Sequence, residues 1–196
     1  MSKLDPRIYK TLKSIDDALL SLLKKHPFSK ITIEMLCKEA LINRSTFYKY
    51  YADKYALLEN YLDRKLGEFR STVQTDFVQA EPATVGSEEY TDLFRSTMTY
   101  LYTNRELYQI LWNAAIDRTV FQEMASIIRD CIMERTEHKA GREHYLELYA
   151  TYFASNMMTL VHWWFENEPE ITMDEAVSIM RSNMERGLFA TFKRLI

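Results

Sequence analysis

The stretch FSKITIEMLCKEALINRSTFYKYYADKYALL, Phe28 to Leu58, decides the fold. Thr32 stands ahead of a run from Ile33 to about Ala40 with Glu34 in its first turn, and a hydroxyl followed by an acid is how helices begin. Leu41-Ile42 breaks that run, Asn43 is the next cap residue, and the pattern predicts a helix of roughly eight residues to Tyr51. Asp53 then caps a much longer helix reaching about Val78. Two short capped helices, joined by a tight turn and preceded by a packing helix, have helix-turn-helix spacing.

Upstream, Ile8, Leu12, Ile15, Leu19, Leu22 and Leu23 recur at three- and four-residue spacing, so residues 7–25 form an amphipathic helix that His26-Pro27 ends. Downstream, Glu81 to Ser87, with Pro82 and Gly86, reads as a loop. Helices are expected beyond it at about 88–103, 105–115, 118–138, 143–167 and 173–194. The last is introduced by Pro169 and by Thr172 with Glu175 three residues on, a capping box. With only 4 Gly and 4 Pro in 196 residues, the chain lacks the turn formers of a sandwich or barrel. Its 47% hydrophobic content excludes a disordered chain, and the fold class expected is all-α.

Successive helical residues turn by about 100°. From Arg44 onward, Arg44, Ser45, Tyr48 and Lys49 therefore share one face, while Phe47 and Tyr51 point the other way. The outer face is polar and basic, and seven or eight helical residues, roughly 10–12 Å, match a major groove about 12 Å wide. Arg44 can make a bidentate pair with guanine O6 and N7, and Ser45 is small enough to let the helix approach base edges. Tyr48 and Lys49 can reach phosphate or a base. Thr32 and Lys54, at the starts of neighbouring helices, are placed for phosphate, and Lys30, Thr46 and Tyr50 flank the groove. Charge is divided to match: residues 1–66 carry 13 Lys and Arg against 8 Asp and Glu, and residues 67–196 carry 12 against 20. A basic end on an acidic body orients the approach to a polyanion. For a generic helix pair the competing reading is that Tyr48, Tyr50 and Tyr51 are core aromatics beside a solvated basic face.

Phe28-Ser-Lys-Ile-Thr32, Leu36-Cys-Lys-Glu-Ala40 and Arg44-Ser-Thr-Phe-Tyr-Lys-Tyr-Tyr51, followed by Asp53-Lys54 and Leu57-Leu58, resemble the helix-turn-helix of TetR-type transcriptional regulators. The resemblance implies a homodimer whose two recognition helices enter successive major grooves of a palindromic operator in double-stranded DNA, most often as a repressor released by a small-molecule effector. Residues 1–52 are then the helix-turn-helix DNA-binding domain, and residues 53–196 the helical effector-binding and dimerisation domain. Leu41 departs from the pattern, since many relatives carry Gly at this turn, a position that often needs a backbone conformation Gly tolerates best, and a slightly remodelled turn is expected.

In such proteins the C-terminal helices hold the inducer and form the dimer. The 143–167 helix gathers Tyr145, Tyr149, Tyr152, Phe153, Leu160 and Trp163 on one face, with Leu146, Met157 and Trp164 at its margin. The opposite face has Thr151, Ala154, Ser155, Met158 and His162, small enough for close helix approach. That second face, with Val177, Met180, Met184 and Leu188 of the last helix, is expected at the dimer seam. Tyr149, Phe153, Met157 and Trp164, with Tyr108, Trp112 and Phe121 from preceding helices, are expected to line a pocket for a small apolar or aromatic effector. A filled aromatic core is the competing reading.

No catalytic residue, metal or cofactor is expected. His26, His138, His144 and His162 fall in no Glu-x-x-His pair, and the chain has neither a Gly-rich phosphate loop nor a Gly-x-Ser-x-Gly elbow. Cys37 and Cys131 are too few for a disulfide framework, and Met1 to Leu12 lacks the apolar run of a secretion signal, so the cytoplasm is the expected location. Leu148 to Phe165 runs 18 positions without a charge, near the length of a membrane span. Its Thr151, Ser155, Asn156, Thr159 and His162 argue instead for a helix buried by other protein, with no membrane partner. The alternative function is a helical adaptor of the same architecture acting through a protein partner, which would be indifferent to Arg44→Ala.

Overall fold

The computed structural model of the chain describes residues 5–75, 88–136, 143–167 and 170–192, and the side chains of all of these except 88–91, 93 and 184–192. Among the described residues every regular element is helical. The expected loop Glu81–Ser87 lies outside them.

α1 (Pro6–Leu23) begins where Asp5 accepts a hydrogen bond from the Arg7 amide at 2.8 Å, with Pro6 in the first turn, and its apolar stripe buries Ile15, Ala18, Leu19, Leu22 and Leu23. A 3-10 turn, Phe28–Lys30, leads to Thr32, whose hydroxyl accepts from the Met35 amide at 3.2 Å and so caps α2 (Ile33–Glu39) as expected. α2 ends in a Schellman motif: the Ile42 amide reaches the Cys37 carbonyl at 3.0 Å and the Leu41 amide the Lys38 carbonyl at 3.3 Å. That motif puts Leu41 at φ 56°, the left-handed conformation for which Gly is the usual choice.

α3 (Arg44–Tyr48) is shorter than expected, and Asn43 makes no side-chain cap bond. The chain keeps turning to Tyr51, but through three-residue closures from Lys49 to the Thr46 carbonyl and from Tyr50 to that of Phe47. Phe47 is fully buried and meets the ring of Tyr51 at 5.9 Å, which anchors α3 by its inner side. α4 (Lys54–Thr72) starts on Asp53, whose Oδ1 accepts from the Tyr55 and Ala56 amides, both at 2.8 Å. It stops at Thr72 rather than near Val78, where the Ser71 and Thr72 hydroxyls turn back onto the carbonyls of Glu68 and Phe69.

The remaining helices are α5 (Glu88–Thr103), α6 (Arg105–Asn113), α7 (Val120–Arg135), α8 (Glu143–Glu166) and α9 (Met173–Phe192). The chain forms two compact units, Met1–Gly67 with Glu106–Val120, and Glu68–Arg105 with Phe121–Ile196. This division differs from a cut after residue 52, because the first part of α4 packs with α1: Arg64 donates to Asp16 at 2.7 Å. Within the first unit Arg118 also pairs with Asp63 at 2.8 Å, and Lys24 with Glu106.

In the second unit, buried Phe94, Met98 and Leu101 of α5 and Ala176, Val177 and Met180 of α9 supply apolar core, and Arg95 ties α5 to Asp174 of α9 at 2.5 Å. The one buried polar side chain described, Thr97, donates to the Thr72 carbonyl at 2.9 Å. The corner between α8 and α9 is fixed twice. The Trp164 indole donates to the Ile171 carbonyl at 2.8 Å, and the predicted capping box forms, Glu175 accepting from the Thr172 amide while Thr172 accepts from that of Glu175. No described helix is long and apolar enough to cross a membrane, α8 with its uncharged stretch included.

Candidate nucleic-acid interface

On α3 the burial pattern follows the helical period: Phe47 and, beyond the helix, Tyr51 are inside, while Arg44, Ser45, Tyr48 and Lys49 are exposed together. Five residues of α-helix span roughly 7–8 Å, so the element still fits within a groove about 12 Å wide. Tyr48 is 54% exposed, its ring meeting that of Phe47 edge-on at 5.8 Å, and so is not a core aromatic. Lys30 and Thr32 are exposed beside this face, whereas Thr46 and Tyr50 are half-buried at its margin. Arg44 carries a contact that sequence reasoning missed: its Nη2 donates to Glu34 Oε2 at 2.6 Å. Glu34 reads in sequence as an acid favoured by the α2 dipole, and nothing in its spacing signals a partner ten residues on.

Lys54 corrects an expectation. Its ammonium donates to three carbonyls, Phe28 at 2.9 Å, Ser29 at 3.2 Å and Ile31 at 2.8 Å, and sits 4.8 Å from the Phe28 ring centre. An ammonium has three protons, and all three are engaged here. Lys54 is thus a clamp between α4 and the 3-10 turn that carries Lys30, rather than an open phosphate ligand.

The C-terminal faces are exchanged relative to expectation. α8 turns Ala150, Ala154, Met157, Met158, Val161, Trp164 and Phe165 inward. It presents Tyr145 (67% exposed), Tyr149 (69%), Tyr152 (61%) and Trp163 (43%) outward. Met158, Val177 and Met180 are therefore core of a single chain and not seam residues, while Thr151 and Ser155 are exposed and His162 is half-buried. The side chains of Met184 and Leu188 lie outside the described residues. Of the expected pocket residues, Tyr149 faces away from the interior, its ring meeting Tyr152 edge-on at 6.4 Å. Tyr108 and Trp112 belong to the first unit, where their rings stack at 6.0 Å. The other four share the second unit: Phe153 lies 5.9 Å from Phe94, Trp164 stacks on Tyr102 at 5.0 Å, Phe121 meets His162 edge-on at 5.6 Å, and Met157 is buried.

Burial pushes both the Cys37 and Cys131 thiols up, so neither is poised as a thiolate nucleophile. No cluster of three or more His, Cys, Asp or Glu suited to a metal ion occurs among the described residues.

Residues 15–61 match the family described as bacterial regulatory proteins, tetR family, and residues 88–186 match the transcriptional regulator C-terminal region of that group. The chain is 20% identical over 164 residues to YxbF, an HTH-type transcriptional regulator of Bacillus subtilis (strain 168). The alignment takes in 84% of this chain but 42% of that relative's length. Among solved structures it is similar to the fatty acid degradation regulator FadR from Bacillus halodurans, with a TM-score of 0.64, 17% identity, and 95% and 98% of the two chains covered. It is also similar to the dihydroxyacetone kinase operon activator DhaS, with a TM-score of 0.55, 16% identity, and 89% and 96% covered. With the second match spanning half the chain and the first taking in the helix-turn-helix, this chain belongs to the TetR family of transcriptional regulators.

Proposed function

We propose that the protein is a homodimeric, sequence-specific repressor of the cytoplasm that grips a palindromic operator with α3 and is released by a small apolar effector. The observation that carries the DNA-reading part is the outward grouping of Arg44, Ser45, Tyr48 and Lys49 on a helix whose inner side is pinned by Phe47. Arg44 reads guanine, Lys49 and Tyr48 contact backbone or base, and Lys30 and Thr32 position the domain on phosphate. The second copy covers the aromatic outer stripe of α8, because contiguous exposed aromatics mark an interface. The effector enters among Phe121, Phe153, Met157 and Trp164. To move occupancy from 99:1 to 1:99 it must favour the released state by about 5.5 kcal/mol. Because one structural neighbour is named for fatty acid degradation, acyl compounds head the effector screen.

The test is a titration of the purified chain against DNA selected from a random pool, and against DNA flanking its own gene, at two salt concentrations with competitor. The reading expects tight, salt-sensitive binding to a palindrome, with discrimination reduced by about 1–3 kcal/mol in Arg44→Ala. Sequence-indifferent binding that Arg44→Ala leaves unchanged overturns it in favour of the protein adaptor. Deleting the gene should raise transcription of the bound promoter; a fall would make the protein an activator on the same scaffold.

A further inference from the structure

The DNA-reading face contains an acid. Between Phe28 and Lys54 there are three: Glu34, Glu39 and Asp53. Glu39 accepts from the Ser21 hydroxyl at 2.6 Å, and Asp53 caps α4. Glu34 alone of the three reaches the recognition helix, taking Arg44 Nη2 at 2.6 Å, with the two side chains 75% and 62% exposed. In water so open a pair adds little to stability, so its consequence lies elsewhere. It lies on a surface that, under the reading above, comes against phosphates.

We propose that Glu34 is a specificity-determining residue: it tethers Arg44 by one nitrogen and so reserves the guanidinium for a guanine in the groove. This role rests on α3 being the reading helix, as proposed above. A guanidinium has five donors in a fixed fork, so a grip on one Nη2 proton leaves the others for guanine O6 and N7. An untethered arginine at the start of α3 can swing to the nearest phosphate, a contact every sequence offers. The tether opposes that swing, and the carboxylate repels the backbone of any duplex. Where guanine is present, Arg44 bridges base and carboxylate together. Where it is absent, the acid faces phosphate with no gain to offset it. Glu34 therefore lowers affinity for all DNA but lowers it least for the correct site, which is how specificity is built from a repulsive element.

The experiment measures full-length wild type, Glu34→Ala, Glu34→Gln, Arg44→Ala and the Glu34/Arg44 double alanine variant against the selected operator, its single-base variants and random DNA. Glu34→Ala is expected to bind random DNA several-fold more tightly and to cut the specific-to-random ratio at least about fivefold, the low end of what one bidentate base contact supplies. Its relaxed preference is expected at the same base pair that Arg44→Ala relaxes, and the double variant should lose no more discrimination than Arg44→Ala alone. Glu34→Gln, which can still accept from Arg44, should keep more base preference than Glu34→Ala while gaining random-DNA affinity. Unchanged discrimination in Glu34→Ala overturns the proposal, as does relaxation at a different base pair, which would mean that Glu34 reads a base itself. If Arg44→Ala relaxes one base pair and Glu34→Ala none, the tether fails while the reading helix stands; if neither wild type nor Arg44→Ala shows sequence preference, both fail. Thermal unfolding midpoints equal to wild type certify that the variants are folded.

Discussion

Leu41 holds a left-handed backbone at φ 56° and is 91% exposed, so it bears conformational strain and returns almost no packing. A left-handed L-residue costs roughly 1–2 kcal/mol, and Gly removes most of that at some cost in unfolded-chain entropy. Leu41→Gly should stabilise the chain by about 1 kcal/mol in denaturant titration. A destabilised variant would mean that the leucine side chain has a packing role its exposure conceals. Lys54 is the opposite case, a surface-type residue spent on structure. Lys54→Met, which keeps the stem and removes the ammonium, takes the lysine's donors from the carbonyls of Ser29 and Ile31 and leaves that of Phe28 with the Ile31 amide alone, and should cost about 2 kcal/mol. Its operator affinity per folded molecule should change far less than that of Lys49→Ala. The break at Leu41-Ile42 was legible in sequence, and the family resemblance marked Leu41 as standing where Gly is usual; the left-handed backbone itself comes from the structure. The Lys54 clamp was not legible, since its acceptors come from 23 to 26 residues upstream and only the packed chain brings them near.

Among elements, the helix starts were the most readable, because caps are made within three or four residues: Thr32, Asp53 and the Thr172–Glu175 box all stand where their patterns put them. The inner side of α8 was not readable. Its two sides are both apolar, and which one is buried depends on the volume offered by α5 and α9, a non-local quantity that periodicity does not contain. The structure gives the inside to Ala150, Ala154, Met157, Met158, Val161, Trp164 and Phe165, and leaves Tyr145, Tyr149, Tyr152 and Trp163 outside. Tyr152→Glu places a charge at the middle of that outer stripe without touching the core. If the proposed dimer is built on this stripe, the variant should sediment as a monomer at micromolar concentration, where the wild type is a dimer, with an unchanged helical spectrum. A Tyr152→Glu dimer of wild-type affinity would move the interface elsewhere.

For the molecule as a whole, electrostatics divides between binding and stability. The basic excess of residues 1–66 favours encounter with DNA and predicts steep salt dependence. Inside the first unit the Asp16–Arg64 pair joins α1 to α4 at a cost. Burial raises the Asp16 carboxyl above its ordinary range, outweighing the hydrogen bond and charge of Arg64, and its Oδ1 accepts nothing from the described residues. The folded chain thus holds this proton more tightly than the unfolded one. The contribution of Asp16 to stability should be fullest below about pH 4, fall as pH rises through the raised value, and then level off. Asp16→Asn should remove that decline from a series of unfolding midpoints, and a decline that persists would assign it to another group.

The adjacent indoles on α8 give the molecule a built-in optical readout. Trp164 is 1% exposed with its N–H fixed on the Ile171 carbonyl, whereas Trp163, one residue earlier, is 43% exposed on the outer stripe. A partner copy seated on that stripe would move Trp163 into a drier surrounding and leave Trp164 where it is. Dilution through the dissociation range should then shift emission to longer wavelength, the shift should disappear in Trp163→Phe, and the assembly could be followed without an attached dye.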